Sequence, residues 1–247
     1  MNSEHLSLSG FTRVHISGAF RFEVVRSADF GVDIERAWYK NTRAFVRGDT
    51  LIIDHPWYDV ISWFTPWVAP RAKVQMPELR ELRVAGASRG TMTGFAASAD
   101  FRLGVFGASR LSGEVNAGTA AIEVVGASRA DLTVTVKELK LTLAGASRYD
   151  GNLKADKAEL RVVGASRINA AGTVGDAIVR VAGASRLDAG GLSVRNADVE
   201  LVGASRAALT IDGKLDVSLV GASRLDYGGN PTMGNVRTVG ASTLSRR

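Results

Sequence analysis

The sequence predicts an all-β solenoid, a chain coiled into stacked parallel strands with one turn per repeat. Three observations carry that expectation. Gly-Ala-Ser occurs nine times, with its glycines at Gly86, Gly107, Gly126, Gly145, Gly164, Gly183, Gly203, Gly221 and Gly240. The gaps between them are 21, 19, 19, 19, 19, 20, 18 and 19 residues, a short steady period that marks a unit able to bury its apolar face only against its neighbours. Between the triplets, apolar and polar residues alternate, as in Glu159-Leu160-Arg161-Val162, Ile178-Val179-Arg180-Val181 and Leu139-Lys140-Leu141-Thr142-Leu143, the period of a half-buried strand.

A 19-residue unit has no room for the strand, helix and turns of a βαβ crossover. The Leu-x-x-Leu-x-Leu-x-x-Asn frame of a leucine-rich repeat is also missing. With one inter-strand spacing of ~4.8 Å per turn, the eight steps between the first and last triplets make a rod on the order of 40 Å long.

Residues 1–79 form the first region, an irregular N-terminal β segment expected to cap the rod, because an open solenoid end is a free strand edge. Phe11-Thr12-Arg13-Val14-His15-Ile16, Phe20-Arg21-Phe22-Glu23-Val24-Val25 and Gly31-Val32-Asp33-Ile34 alternate and read as strands. Ser17-Gly18-Ala19, between the first two, looks like a degenerate corner. Arg47-Gly48-Asp49 spells an integrin-recognition tripeptide, yet it stands between two strand-like stretches, where Gly-Asp reads as a hairpin turn. Residues 55–70 form a loop holding three of the four tryptophans and three of the five prolines. Its Trp57, Tyr58, Trp63, Phe64 and Trp67 read first as packing over the rod and next as an interface for self-association, since tryptophan and tyrosine anchor interfaces. Sugar stacking and a membrane-interface role are further readings of the same residues.

Residues 80–247 form the regular solenoid. The Gly-Ala-Ser triplet reads as its corner: glycine supplies positive φ at a sharp bend, alanine and serine are small enough to stack, and serine bonds nearby backbone. Gly172-Thr173-Val174-Gly175 and Gly228-Gly229-Asn230-Pro231 read as turns. Eight of the nine triplets are followed by arginine, which places Arg89, Arg110, Arg129, Arg148, Arg167, Arg186, Arg206 and Arg224 in one column about 5 Å apart. Eight bare cations so spaced would repel one another. Two residues on, however, stand Asp131, Asp150, Asp188 and Asp226, with Asn169 in the same place, on the same face of the strand. The coils of Arg89, Arg110 and Arg206 lack that acid. One reading of the column is a self-compensated solvated ladder. Another is a basic stripe for a polyanion such as lipopolysaccharide, an acidic polysaccharide or nucleic acid, and a third is a subunit interface.

Lys and Arg number 31 against 25 Asp and Glu, a net charge of +6 that spreads along the rod and is no nucleic-acid footprint by itself. The chain has no cysteine, so disulfides, thiolate metal sites and cysteine nucleophiles are excluded. No apolar run reaches transmembrane length, and membrane contact is expected to be peripheral at most. The opening Met1-Asn2-Ser3-Glu4-His5 has neither the basic nor the apolar region of a signal peptide.

From Phe11 to Val25, through Gly48-Asp49-Thr50-Leu51-Ile52-Ile53 and the run of corners to Ser242, the chain resembles a bacterial family, the putative auto-transporter adhesins with a head GIN domain. The resemblance implies a right-handed parallel β-helix, a periplasmic, outer-membrane-associated or secreted location, and an adhesin-like role. It offers no catalytic residues. The near-invariant arginine after each corner and the tryptophan-rich loop depart from the family pattern.

Enzymes on parallel β-helices build their sites from long loops bearing paired carboxylates. The coils here are nearly equal in length, the only histidines are His5, His15 and His55, and no P-loop or metal-ligand spacing occurs. The expectation is a non-catalytic adhesin-like rod without cofactor or metal, its partners an anionic glycan, lipopolysaccharide or a second copy of itself. A self-assembling scaffold is the alternative. A polysaccharide-active enzyme is the weaker third.

Overall fold

Alternation along each strand sends one set of side chains into a single continuous core and the other set outward. The computed structural model describes residues 2–36, 42–55, 69–96 and 100–247. All described strands join one 21-stranded sheet, and no helix occurs among the described residues. The architecture is a β-solenoid of about nine turns with ~19 residues per coil, as the triplet period predicts.

The path through the first turns departs from sequence order. β1 (Asn2–Leu6) is followed by β2 (Arg13–Gly18), β3 (Arg21–Arg26), β4 (Gly31–Arg36), β5 (Arg43–Arg47), β6 (Thr50–Asp54), β7 (Arg71–Met76), β8 (Glu81–Gly86) and β9 (Arg89–Thr93). β6 and β7 lie parallel to one side of β2 and β3, while β8 and β9 lie parallel to the other. The first full level along the chain is therefore the second in space, clasped between two later ones. β5 closes antiparallel on β6, β4 on β7, and β1 on β4. These three strands are the cap that the N-terminal segment was expected to provide. Arg47-Gly48-Asp49 is the β5–β6 hairpin turn, with Gly48 at φ 62°.

Beyond β9 the turns follow one another in order. They are built from β10 (Asp100–Val105), β11 (Arg110–Asn116), β12 (Thr119–Gly126), β13 (Arg129–Gly145), β14 (Arg148–Val162), β15 (Arg167–Gly183), β16 (Arg186–Gly203), β17 (Arg206–Ile211), β18 (Lys214–Gly221), β19 (Arg224–Gly228), β20 (Thr232–Gly240) and β21 (Thr243–Arg246). Inward positions stack on their equivalents: Leu141, Leu160, Val179, Val199 and Val217 form one buried column. Tyr149 fills the opposite wall, fully buried, and donates from its hydroxyl to the Leu132 carbonyl at 3.0 Å. Burial raises its phenol well above the ordinary range.

Each turn has two bends. The first is the Gly-Ala-Ser corner. Corner glycines from Gly86 to Gly240 all have positive φ, as at Gly126 (93°) and Gly145 (84°). A Cβ on Gly145 would stand 2.7 Å from the Gly126 carbonyl oxygen. That oxygen accepts the Ala146 N–H at 2.7 Å and the Ser147 hydroxyl at 3.3 Å, and Ser147 is also within 2.8 Å of its own chain's Ala144 carbonyl. The alanine faces out, while the serine is buried at every level from Ser88 to Ser223. Ser109 is the exception to the bonding pattern, buried with no partner for its hydroxyl.

The second bend was not marked by any motif. It falls where the inward spacing slips from two residues to three, as between Val136 and Leu139 or Val174 and Ala177, with strand pairing continuing across it. Gly172–Gly175 therefore lie within β15, with Gly175 inside this second bend, and do not separate two strands as the expectation of a turn implied. The 20-residue coil is absorbed between the corner and this bend, by a register shift between Asn169 and Ala171 against β16. Gly229–Pro231, by contrast, do interrupt the strands between β19 and β20.

Replacing Gly145 by alanine should cost about 2 kcal/mol or more, from a strained φ combined with contact on the Gly126 carbonyl. The exposed neighbour substitution Ala146→Gly should cost under about 1 kcal/mol. Urea unfolding followed by circular dichroism measures both, and equal losses would show that the glycine conformation does not limit the corner.

Candidate functional site: an arginine column

Register places the eight predicted arginines on consecutive rungs. Arg89 pairs with Arg110, Arg110 with Arg129, and so on through Arg148, Arg167, Arg186 and Arg206 to Arg224, beyond which Thr243 takes the position. The column is longer than the motif. Arg21 pairs with Arg89 and Arg71 with Arg21, adding two rungs at the capped end. Neither follows a Gly-Ala-Ser triplet. Arg21 follows Gly18-Ala19-Phe20, in which Gly18 aligns with Gly86, so the glycine, alanine and arginine stand at the usual offsets and were there to be read. No Gly-Ala-Ser triplet or degenerate copy of it directly precedes Arg71 in the sequence. Trp57, Tyr58, Trp63, Phe64 and Trp67 lie outside the described residues.

The column two residues further along the strands decides how much of this charge is neutralised. In spatial order it reads Lys73, Glu23, Thr91, Ser112, Asp131, Asp150, Asn169, Asp188, Ala208, Asp226 and Ser245. Where an aspartate is present, the arginine finds it within its own coil: Arg129 to Asp131 at 3.0 Å, Arg148 to Asp150 at 2.6 Å, Arg186 to Asp188 at 2.7 Å, and Arg224 to Asp226 at 3.0 Å. Arg129 also reaches across to Asp150 at 3.2 Å, so both expected geometries occur. Asn169 donates to Asp150 at 3.3 Å instead of holding an arginine.

These pairs are partly exposed, and each adds little net stability. Their imprint on the carboxylates is nonetheless plain. Burial alone would push Asp150 up, but hydrogen bonds from Arg148 and Asn169 and the charges of Arg148 and Arg129 outweigh it and hold the carboxyl below its usual range. The hydrogen bond from Arg224 lowers Asp226 against a smaller opposing effect of burial, helped by the charges of Arg224 and Arg247.

Toward the cap the ion pairing stops, although Glu23 holds the acid position two residues after Arg21. Arg21, Arg89 and Arg110 make no ion pair among the described residues, and the hydroxyl-bearing Thr91 and Ser112 stand where acids stand further along. Arg167 and Arg206 are also without an ion pair, but singly. The three consecutive rungs line a depression of about 840 Å³, with Arg71 and Lys73 on its far side. Of its three acids, Asp33 bonds His5 at 2.7 Å, Glu35 lies 3.7 Å from Arg71, and Glu23 has no cationic partner among the described residues. No group of three or more His, Cys, Asp or Glu able to hold a metal occurs among the described residues. Among the described residues no helix is long and apolar enough to cross a membrane.

A parallel solenoid with one side chain type repeated in register along an exposed face belongs to the class of rod-like repeat proteins, in which a flat wall replaces a single cleft. Residues 10–152 and 133–231 match the family described as "Putative auto-transporter adhesin, head GIN domain", and the chain belongs to that family. Its fold is shared by a putative adhesin from Parabacteroides distasonis (19% identity, TM-score 0.73, 100% of this chain and 96% of that one). A putative adhesin from Parabacteroides merdae is similar at 16% identity and TM-score 0.72, covering 100% of this chain and 95% of its own. A putative lipid binding protein from P. distasonis also aligns, with 16% identity and TM-score 0.63 over 100% of this chain and 96% of its own. No curated protein matches the sequence.

Because Asp150 and Asp226 titrate below the ordinary aspartate value when folded, their contribution is present above that value and is lost as pH falls through the lowered one. The melting temperature should hold steady from about pH 7 to 5 and fall below about pH 4. In the Asp150→Asn, Asp226→Asn double variant the acid-side fall should be shallower, which thermal scans by circular dichroism across pH would record.

Proposed function

We propose that this protein is a non-catalytic, adhesin-like binding module of the bacterial cell envelope, whose rod presents its arginine face to an anionic glycan or lipopolysaccharide. The observation that carries this reading is the exposed column of arginines in unbroken register from Arg71 to Arg224, only part of which is neutralised by aspartate. Cations repeated at a strand spacing of ~4.8 Å meet a repeating anion with several weak contacts in line, and avidity follows from the number of contacts and not from any single one. Membership of a family described as adhesins supports an envelope or surface setting. The described structural relatives carry adhesin or lipid-binding descriptions and no enzymatic ones.

Surface electrostatics of this kind is screened within about 10 Å at 0.1 M salt. On a glycan and lipopolysaccharide array the protein should retain acidic ligands over neutral ones, and that retention should fall steeply between low and physiological salt. Retention of neutral glycans alone, or binding indifferent to salt, would overturn the reading.

A further inference from the structure

We propose that the groove over Arg21, Arg89 and Arg110 is the specific binding site of the rod, and that it takes a short run of acidic sugars with one carboxylate or sulfate facing each arginine. This rests on the anionic-glycan reading above and locates it. Three features coincide at these rungs and at no other place on the column. The arginines are consecutive and without ion-pair partners among the described residues, whereas from Arg129 onward aspartates occupy most of the neighbouring positions. The same rungs line the depression of about 840 Å³, within the size range of built ligand sites. Lastly, the residues in the place of the missing acids, Thr91 and Ser112, are hydroxyl donors and acceptors that leave the arginines free to bond a ligand.

The polar composition favours sugars over other polyanions. Glu23 stands in the same groove, two residues after Arg21 and opposite Thr91, at the position the later aspartates hold, without a cationic partner among the described residues. A carboxylate there repels an unbroken phosphate chain, but it accepts hydrogen bonds from the ring hydroxyls of a sugar. A ligand carrying a carboxylate on one side of each ring and hydroxyls on the other satisfies both the arginine column and the Glu23, Thr91 and Ser112 column. The rungs lie in line along the rod at ~4.8 Å per step, so the ligand is linear and extended and not a single headgroup. A fluid anionic bilayer, being flat, would instead meet the whole exposed face and gain nothing from the concave part.

The test uses the full chain with tetragalacturonate, its methyl ester, inorganic phosphate and phosphatidylglycerol vesicles, read by calorimetry or interferometry. Tetragalacturonate should bind and its uncharged ester should not. The Arg21→Ser, Arg89→Ser, Arg110→Ser variant should bind about tenfold more weakly or worse, while Arg129→Ser, Arg148→Ser, Arg167→Ser stays within about twofold. A second variant guards against loss of folding: Thr91→Asp with Ser112→Asp supplies the acids found at later rungs, and should abolish binding while leaving the melting temperature at or above that of the parent. Equal losses in the two arginine variants, or tighter binding to vesicles or phosphate than to tetragalacturonate, would overturn the groove as the site. If an acidic glycan still binds in a salt-dependent way under those results, the broader reading of the arginine face stands. Absence of any acidic-glycan binding would remove both.

Discussion

At each corner of this rod the fit between successive turns centres on one atom, the carbonyl oxygen of the corner glycine. The Gly126 oxygen accepts the Ala146 N–H and the Ser147 hydroxyl of the next turn, and it stands where a Cβ on Gly145 would have to go. One position in space thus accounts for all three letters of the triplet. Glycine is required because the oxygen of the turn before crowds it and φ is positive. Alanine faces water, so only its N–H is committed. Serine is turned inward because buried carbonyls at the bend need a donor that the strands do not supply. With the corner fixed, the register of the strand residues next to it follows, including the arginines one residue beyond it.

How much of this could be read in the chain depended on whether the information was local. The corner is a contiguous motif at fixed period, so the solenoid, its repeat length and eight arginine rungs were legible. Arg21 was nearly so, hidden by Phe20 standing where serine normally does. The order of the first levels was not legible, because β6 and β8 carry the same apolar alternation and nothing local says which side of β2 each will take. Arg71 joins the column only through that non-sequential stacking. The second bend escaped notice for a different reason: it is made by a slip in the spacing of inward residues, and at Gly172 the strand continues through glycine instead of ending there. The groove was half legible, since the missing acids after Arg89 and Arg110 are visible in sequence while the wall formed by β7 and the capping strands is a product of tertiary order.

The two charge columns also show how a solenoid handles a cost built into its own geometry. In-register stacking brings identical residues together at about the closest spacing that a sheet permits, so any charged position repeated once per turn repels itself. The solution here is a second column two residues away, bonded diagonally as well as within the coil, as Arg129 does with both Asp131 and Asp150. A different solution serves the outward face before the corner, where Glu159 is shared among Lys140, Arg161 and Arg180. Where the second column carries no acid, at Arg89 and Arg110, and where its acid Glu23 is not paired with the arginine, at Arg21, repulsion is left standing in the folded protein. Such a defect is tolerated at a surface because water screens it, and an anion that settles there relieves it.

The dependence of each turn on its neighbours is visible at β20. Leu215 in β18 is fully buried, and its register partner Met233 in β20 is 39% exposed; Val217 is 4% exposed and its partner Val236 is 47% exposed. These residues hold equivalent inward positions, and the difference is the presence or absence of a further level beside them. Burial in this fold is therefore a property of the stack and not of the individual turn, and the apolar content of a single repeat is too small to hold it folded alone. The same logic explains the N-terminal arrangement. Strands β4 and β5 run antiparallel to the levels that they cover, and β1 pairs antiparallel on β4, so the ladder of parallel turns is broken at this end.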